Sequence, residues 1–195
     1  MPVAKGEPLD PAATRQRILD AASRVLYEKG TLAVGVNELA AEAGVSKVTL
    51  YRHFDSKDAL VSAYLRARSE RVSAWLREVS QGLDARARIL ALFDALERWF
   101  ADPAFNGCAL VNGAIEARGA QTEARAIAAA HLDRYLDLLQ ELTGDGEALA
   151  RQLLLLVEGA RTVAFVKNDP TAARDAKAAA EALLEQAARG PQRAR

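Results

Sequence analysis

Ser46, Lys47, Val48, Thr49, Leu50, Tyr51, Arg52 and His53 follow Gly44 closely, setting hydroxyl, ammonium, guanidinium, imidazole and branched methyl groups on neighbouring positions. These groups recognise surfaces rather than break bonds. A hydroxyl serves several bases, a branched methyl packs on a thymine methyl, and cations bind phosphate oxygens. Ser46 can accept a hydrogen bond from a backbone N–H near Thr49 and so start a helix whose first turns carry Lys47, Val48 and Thr49. In helix-turn-helix proteins the N-terminal part of the second helix reaches base edges in the major groove. Lys47, Val48 and Thr49 are therefore candidates for base readout, with Ser46 beside them. Tyr51, Arg52, His53 and Lys57 are candidates for phosphate contacts that hold register.

Bond-making chemistry has less support. Cys108 and His131 offer a nucleophile and a base, but no acid stands at a spacing that would orient the imidazole. There is no glycine-rich phosphate loop. One cysteine and two histidines cannot supply a cysteine-type zinc cluster or an internal disulfide. A lone helical cysteine reads as a small core residue. The expectation is a protein that is not an enzyme and needs no metal or cofactor.

The recognition run needs a rigid frame. A small side chain at Ala40 and a residue tolerant of positive φ at Gly44 let two short helices cross closely, with Leu39, Val45 and Leu50 filling the angle between them. Spacing places these helices at about 36–43 and 47–54. Upstream, Asp10-Pro11 is a cap followed by proline at the first helical position, and Ile18, Ala22, Val25 and Lys29 recur until Gly30 stops the run. Downstream, Asp55-Ser56 opens a longer helix carrying Val61, Leu65, Val72, Leu76 and Val79. From Asp84 the pattern stays helical over about 84–101, 107–117, 122–142, 146–167 and 171–189. The breaks fall at Gly82, Asp102-Pro103, Gly119, Gly144-Asp145-Gly146 and Asn168-Asp169-Pro170. The expected fold is all-α with about nine helices. It comprises a tail over 1–9, a helix-turn-helix domain over 10–55, a connecting helix over 56–80 and a larger helical domain over 81–190.

Composition agrees with a folded chain: 195 residues, half of them hydrophobic and 27% charged. Net charge is zero, which argues against indiscriminate nucleic-acid affinity but leaves room for a local basic face if Lys47, Arg52, His53 and Lys57 lie together. No apolar run has membrane-spanning length and no signal-peptide core precedes the first helix, so a cytoplasmic protein without membrane contact is expected.

Thr14 to Ala22, Gly30, Asn37-Glu38-Leu39-Ala40 through Phe54, and Ser56-Lys57-Asp58-Ala59-Leu60 together resemble the N-terminal domain of TetR-type bacterial transcription regulators over residues 14–65. Two positions depart from the pattern: Val34-Gly35 replaces a hydroxyl-bearing pair, and Val48 stands where a smaller residue is common. Asn37 is a further candidate DNA contact, and Gly35 with Glu38 can still cap the first motif helix. The resemblance implies a homodimer on double-stranded operator DNA, probing half-sites about 34–36 Å apart. It also implies a larger C-terminal domain that binds a small-molecule inducer and releases the operator. The alternative is a DNA-binding or scaffold dimer with no small-molecule sensor.

Where this family houses its ligand cavity, the sequence offers Trp99, Phe100, Phe105, Cys108, Val111, Asn112, Ile115, His131, Tyr135, Arg161 and Phe165. His131 lies on the stripe Ile127, His131, Tyr135, Leu138 and Leu142 and so faces the interior, to meet a ligand or a backbone carbonyl. Arg161 pairs with Glu158 at i, i+3, or points inward and favours an anionic ligand. The run Leu153 to Val157 is apolar on every side of its helix and calls for cover by a second chain. Leu153, Leu156, Ala160, Ala172, Ala176, Ala180 and Leu183 are the expected dimer face. A ligand would act by moving the long connecting helix and tilting residues 36–54.

Overall fold

A computed structural model describes residues 10–79, 81–117, 122–144 and 146–189. Among them it contains nine helices and no strand. These are α1 (Pro11–Lys29), α2 (Val36–Glu42), α3 (Lys47–His53), α4 (Lys57–Val79), α5 (Ala85–Phe100), α6 (Ala109–Glu116), α7 (Glu123–Thr143), α8 (Glu147–Lys167) and α9 (Ala172–Arg189). The expected tail over 1–9 and the breaks at Gly119 and Asp145 lie outside the described residues. The chain divides into two compact units, one of residues up to Arg68 with Leu110–Ile127, the other of Ser69–Ala109 with the residues from Ala128 onward. Helices α4 and α7 therefore each supply residues to both.

The first unit starts as its signals dictate. Asp10 Oδ1 accepts from the Ala12 N–H at 2.9 Å, Pro11 occupies the first turn, and Gly30 ends α1 at φ 85°. Helix α1 packs on α2 and α3, with Ile18, Ala22, Leu26, Leu39, Ala40, Leu50 and Phe54 all buried. Gly44 turns the chain between the two short helices at φ 63°. Helix α6 belongs to this unit from Leu110 onward. The Glu116 carboxylate accepts from the Thr31 N–H (2.5 Å), the Thr31 hydroxyl (2.6 Å) and the Leu32 N–H (3.1 Å), which fixes the turn after α1. A Cβ on Gly30 would stand 2.7 Å from Glu116 Oε1, so the residue that ends α1 also makes room for this clamp.

In the second unit α9 lies against α5 and α8. Its alanines permit the approach, since Ala172, Ala173, Ala176 and Ala180 join a core with Leu92, Phe93, Leu96, Leu153, Val157 and Ala160. Lys177 to Asp94 (2.6 Å) and Arg174 to Glu97 (2.5 Å) tie α9 to α5 at the edge of that core. This places most of the residues expected at a dimer face elsewhere. Leu153, Ala160, Ala172, Ala176 and Ala180 are buried within the chain's own core, and Leu156 and Leu183 are half-buried. Successive helical residues turn by about 100°, so Leu155 points nearly opposite to Leu153. Leu155 is 72% exposed, Val166 74%, and Val163 and Gly159 lie on the same open face of α8.

Candidate nucleic-acid interface

Ser46 begins α3 in the expected way: its hydroxyl accepts from the Thr49 N–H at 3.0 Å. Leu50 then anchors the helix in the first unit's core, completely buried. With the inner face fixed by Leu50 and the start fixed by Ser46, the outer face is determined. Lys47, Tyr51 and Arg52 are exposed, Val48 is 64% exposed, and Thr49, His53 and Lys57 are half-buried. The Thr49 hydroxyl lies 2.9 Å from the Ser46 hydroxyl, so in the free protein these two groups satisfy each other. Asn37 is exposed on α2, whose Gly35 cap has no side chain to bond. Glu38, expected to answer that cap, pairs instead with Lys29 at 2.7 Å.

That pairing bears on the charge balance. Glu38 is held by Lys29 and Glu42 by Arg24 (3.2 Å), so the two carboxylates of α2 are matched by cations of α1. Among the described residues Lys47, Arg52 and Lys57 have no ion-pair partner, and all three come from α3 or the start of α4. A chain with no net charge thus keeps uncompensated cations on and beside α3, whose outer face carries hydrogen-bonding groups. Arg15 is committed elsewhere, its guanidinium 4.6 Å above the Phe54 ring. Glu123 on α7 accepts from Ser62 and Arg66, which hold its carboxyl below the usual range.

The residues expected to line a ligand cavity separate into two sets. Val111, Asn112 and Ile115 lie in the first unit, and Ile115 is 69% exposed. The others gather in the second. Trp99, Phe100 and Phe105 pack on one another with ring centroids 4.9–5.9 Å apart, and Phe165 reaches Phe105 at 6.4 Å. Arg161 is buried and pairs with Glu158 at 2.6 Å while its guanidinium lies 5.6 Å from the Trp99 ring centroid. The pairing alternative is the one realised. Cys108 is buried and free. His131 is 2% exposed; its Nδ1 is 2.9 Å from the Ser69 hydroxyl, whose oxygen accepts from Arg134. Burial, reinforced by the charges of Arg161 and Arg134, lowers the His131 pKa to about 4, so the ring is neutral at physiological pH. Burial likewise pushes the Tyr135 phenol well above its ordinary value. Ser69, Arg134 and Glu116 carry no local sequence signal, because each matters through a partner more than sixty residues away.

A short helix whose outer face carries hydrogen-bonding, methyl and cationic groups, held across a glycine turn by a second helix, defines a helix-turn-helix DNA-binding protein. Residues 18–64 match the model of bacterial regulatory proteins of the tetR family. Over 56 residues the chain is 46% identical to the HTH-type transcriptional regulator MT1294 of Mycobacterium tuberculosis, covering 29% of this chain and 28% of that protein. It is 39% identical over 79 residues to the HTH-type transcriptional repressor KstR2 of Rhodococcus jostii, covering 40% and 39%. These alignments span well under half of either relative. The crystal structure of SCO4454, a TetR-family transcriptional regulator from Streptomyces coelicolor, is similar over nearly its whole length. It matches at 30% identity with a TM-score of 0.79, covering 89% of this chain and 95% of that one. The chain belongs to the TetR family of DNA-binding transcriptional regulators.

Proposed function

We propose that the chain acts as a homodimeric repressor in the cytoplasm, released from its operator when the second unit binds a small molecule. The observation that carries the DNA assignment is the α3 face. Lys47, Val48 and Thr49 stand on the first turn of a helix fixed by Ser46 and Leu50, and the unpaired cations Arg52 and Lys57 flank it. On this reading Lys47, Val48 and Thr49 select sequence, with Ser46 freed from Thr49 on binding. Asn37, Tyr51, Arg52, His53 and Lys57 hold the backbone. Dimerisation through the open face of α8 uses Leu155, Gly159, Val163 and Val166 and presents α3 twice. Among the described residues no helix is long and apolar enough to cross a membrane, which fits a protein that works on DNA. The relative KstR2 is named a repressor, and that supports the same direction of regulation here.

The test is selection of bound sequences from random duplexes by the wild type, Thr49→Ala and Lys57→Ala. Thr49→Ala should change the preferred bases. Lys57→Ala, which removes one phosphate contact from each protomer of the dimer, should weaken all sequences alike and lower the salt slope by about 1.8. The same preference in all three proteins refutes the assignment of α3. The mutual packing of Trp99, Phe100 and Phe105, which leaves those rings filled by each other, favours the second reading, a DNA-binding dimer with no sensor. Operator complexes that no bound small molecule dissociates would establish it.

A further inference from the structure

The second unit holds a cavity of about 330 Å³ to which α4, α5 and α7 contribute Arg77, Arg88 and Arg134 respectively. Leu76 and Leu138 supply apolar wall, and His131 and Tyr135 supply buried polar groups. We propose that this cavity is the effector site and that its effector is a small organic acid, its anionic head held by Arg88 and Arg134 and its body lying against Leu76 and Leu138. The proposal rests on the reading of the second unit as a small-molecule sensor, and it adds the place and the chemical class.

Three observations lead there. The Nε of Arg88 is buried and finds no hydrogen-bond partner among the described residues, a costly arrangement unless something else supplies an acceptor. Asp137 and Glu141 also border the cavity, yet neither comes within ion-pair distance of Arg88 or Arg134, so two guanidiniums meet this space without a matching carboxylate. Guanidiniums bind carboxylates through paired N–H donors, which suits them to an anion here.

The third observation is the hydrogen-bond relay behind Arg134. Ser69 Oγ accepts from the Arg134 guanidinium, which leaves its own proton for His131 Nδ1 at 2.9 Å. The neutral imidazole then carries its hydrogen on Nε2, and a cavity-lining residue becomes a donor rather than an acceptor. Burial lowers the His131 pKa, and the charges of Arg161 and Arg134 lower it further. The volume lies at the small end of ligand sites, about 300–1,000 Å³, which limits the body to a compact group.

The experiment compares 4-phenylbutyrate with its neutral amide, 4-phenylbutanamide, by isothermal titration calorimetry at fixed ionic strength. The proteins are the wild type, Arg88→Gln and Arg134→Gln, each checked for folding by circular dichroism, with release of the operator followed in parallel. The wild type should bind the acid at least about tenfold more tightly than the amide. In both variants the ratio should fall toward one while the amide affinity stays unchanged. Equal binding of acid and amide by the wild type overturns the acid assignment but leaves a sensor in place. A preference for the acid that survives both substitutions overturns the location, and no binding of either compound overturns both claims. Acid binding that depends on Arg88 and Arg134 yet never releases DNA upholds the site and refutes the sensor reading.

Discussion

The Glu116 clamp allows a quantitative test of how the turn before the helix-turn-helix motif is held. Glu116→Ala removes the acceptor for two backbone N–H groups and one hydroxyl, at 2.5, 3.1 and 2.6 Å. Hydrogen bonds to a charged acceptor contribute about 1.5–3 kcal/mol each when buried, but Thr31 is half-buried and Leu32 exposed, so water recovers much of the loss. A net cost of about 2–3 kcal/mol to the first unit is expected. Gly30→Ala acts on the same place from the other side. At φ 85° and ψ 162° the backbone is in a region used almost only by glycine, which costs an alanine about 1–3 kcal/mol, and the new Cβ would also displace the Glu116 carboxylate. In the Glu116→Ala background the displacement has nothing left to disturb, so Gly30→Ala should cost about 1–2 kcal/mol less than it does alone. Trp75 and Trp99 both lie in the second unit, so tryptophan fluorescence would miss the event. Hydrogen exchange of the Thr31 and Leu32 amides reads it directly, and protection at both should vanish in Glu116→Ala. Costs of the two substitutions that add to within about 0.5 kcal/mol, or amides that exchange no faster without the carboxylate, would refute the clamp.

Other consequences can be measured independently. Because the folded pKa of His131 is about 4, below the unfolded value near 6.5, the unfolded chain takes up the proton first as pH falls. The contribution is therefore fully present above about pH 6.5 and declines toward pH 4, by about 3 kcal/mol in all, and flattens below. Urea unfolding across this window should show a steeper loss for the wild type than for His131→Gln, and parallel profiles would contradict the burial argument. Ser46→Ala removes the α3 cap and should cost about 1 kcal/mol with weaker operator binding, checked by thermal denaturation and fluorescence anisotropy. On α8, Leu155→Glu should convert the dimer to monomer in sedimentation while leaving the helical content intact. Leu153→Ala should instead cost about 2–5 kcal/mol of stability through the core. If Leu155→Glu remains dimeric, the open face of α8 is not the interface.

What could be read from the sequence was whatever depends on neighbours in the chain. Asp10 with Pro11, Ser46, Gly30 and Gly44 set where helices start, stop and turn, because capping and backbone conformation are decided within four residues. Most of the inward stripe of α7 was legible for the same reason: Ile127, His131, Tyr135 and Leu142 repeat at helical spacing and are buried, whereas Leu138 is half-buried and Leu139 sits in the core beside it. The rotational phase of α8 was not legible. A helix apolar on every side gives periodicity nothing to act on, and only packing against the alanines of α9 assigned Leu153 to the core and Leu155 to the open face. Similarly, Glu116 reaches Thr31 across 85 residues and Arg134 reaches Ser69 across 65. Polar side chains that find their partners so far along the chain look like ordinary surface charges in sequence, because their role arises from distances that exist only after the helices have packed.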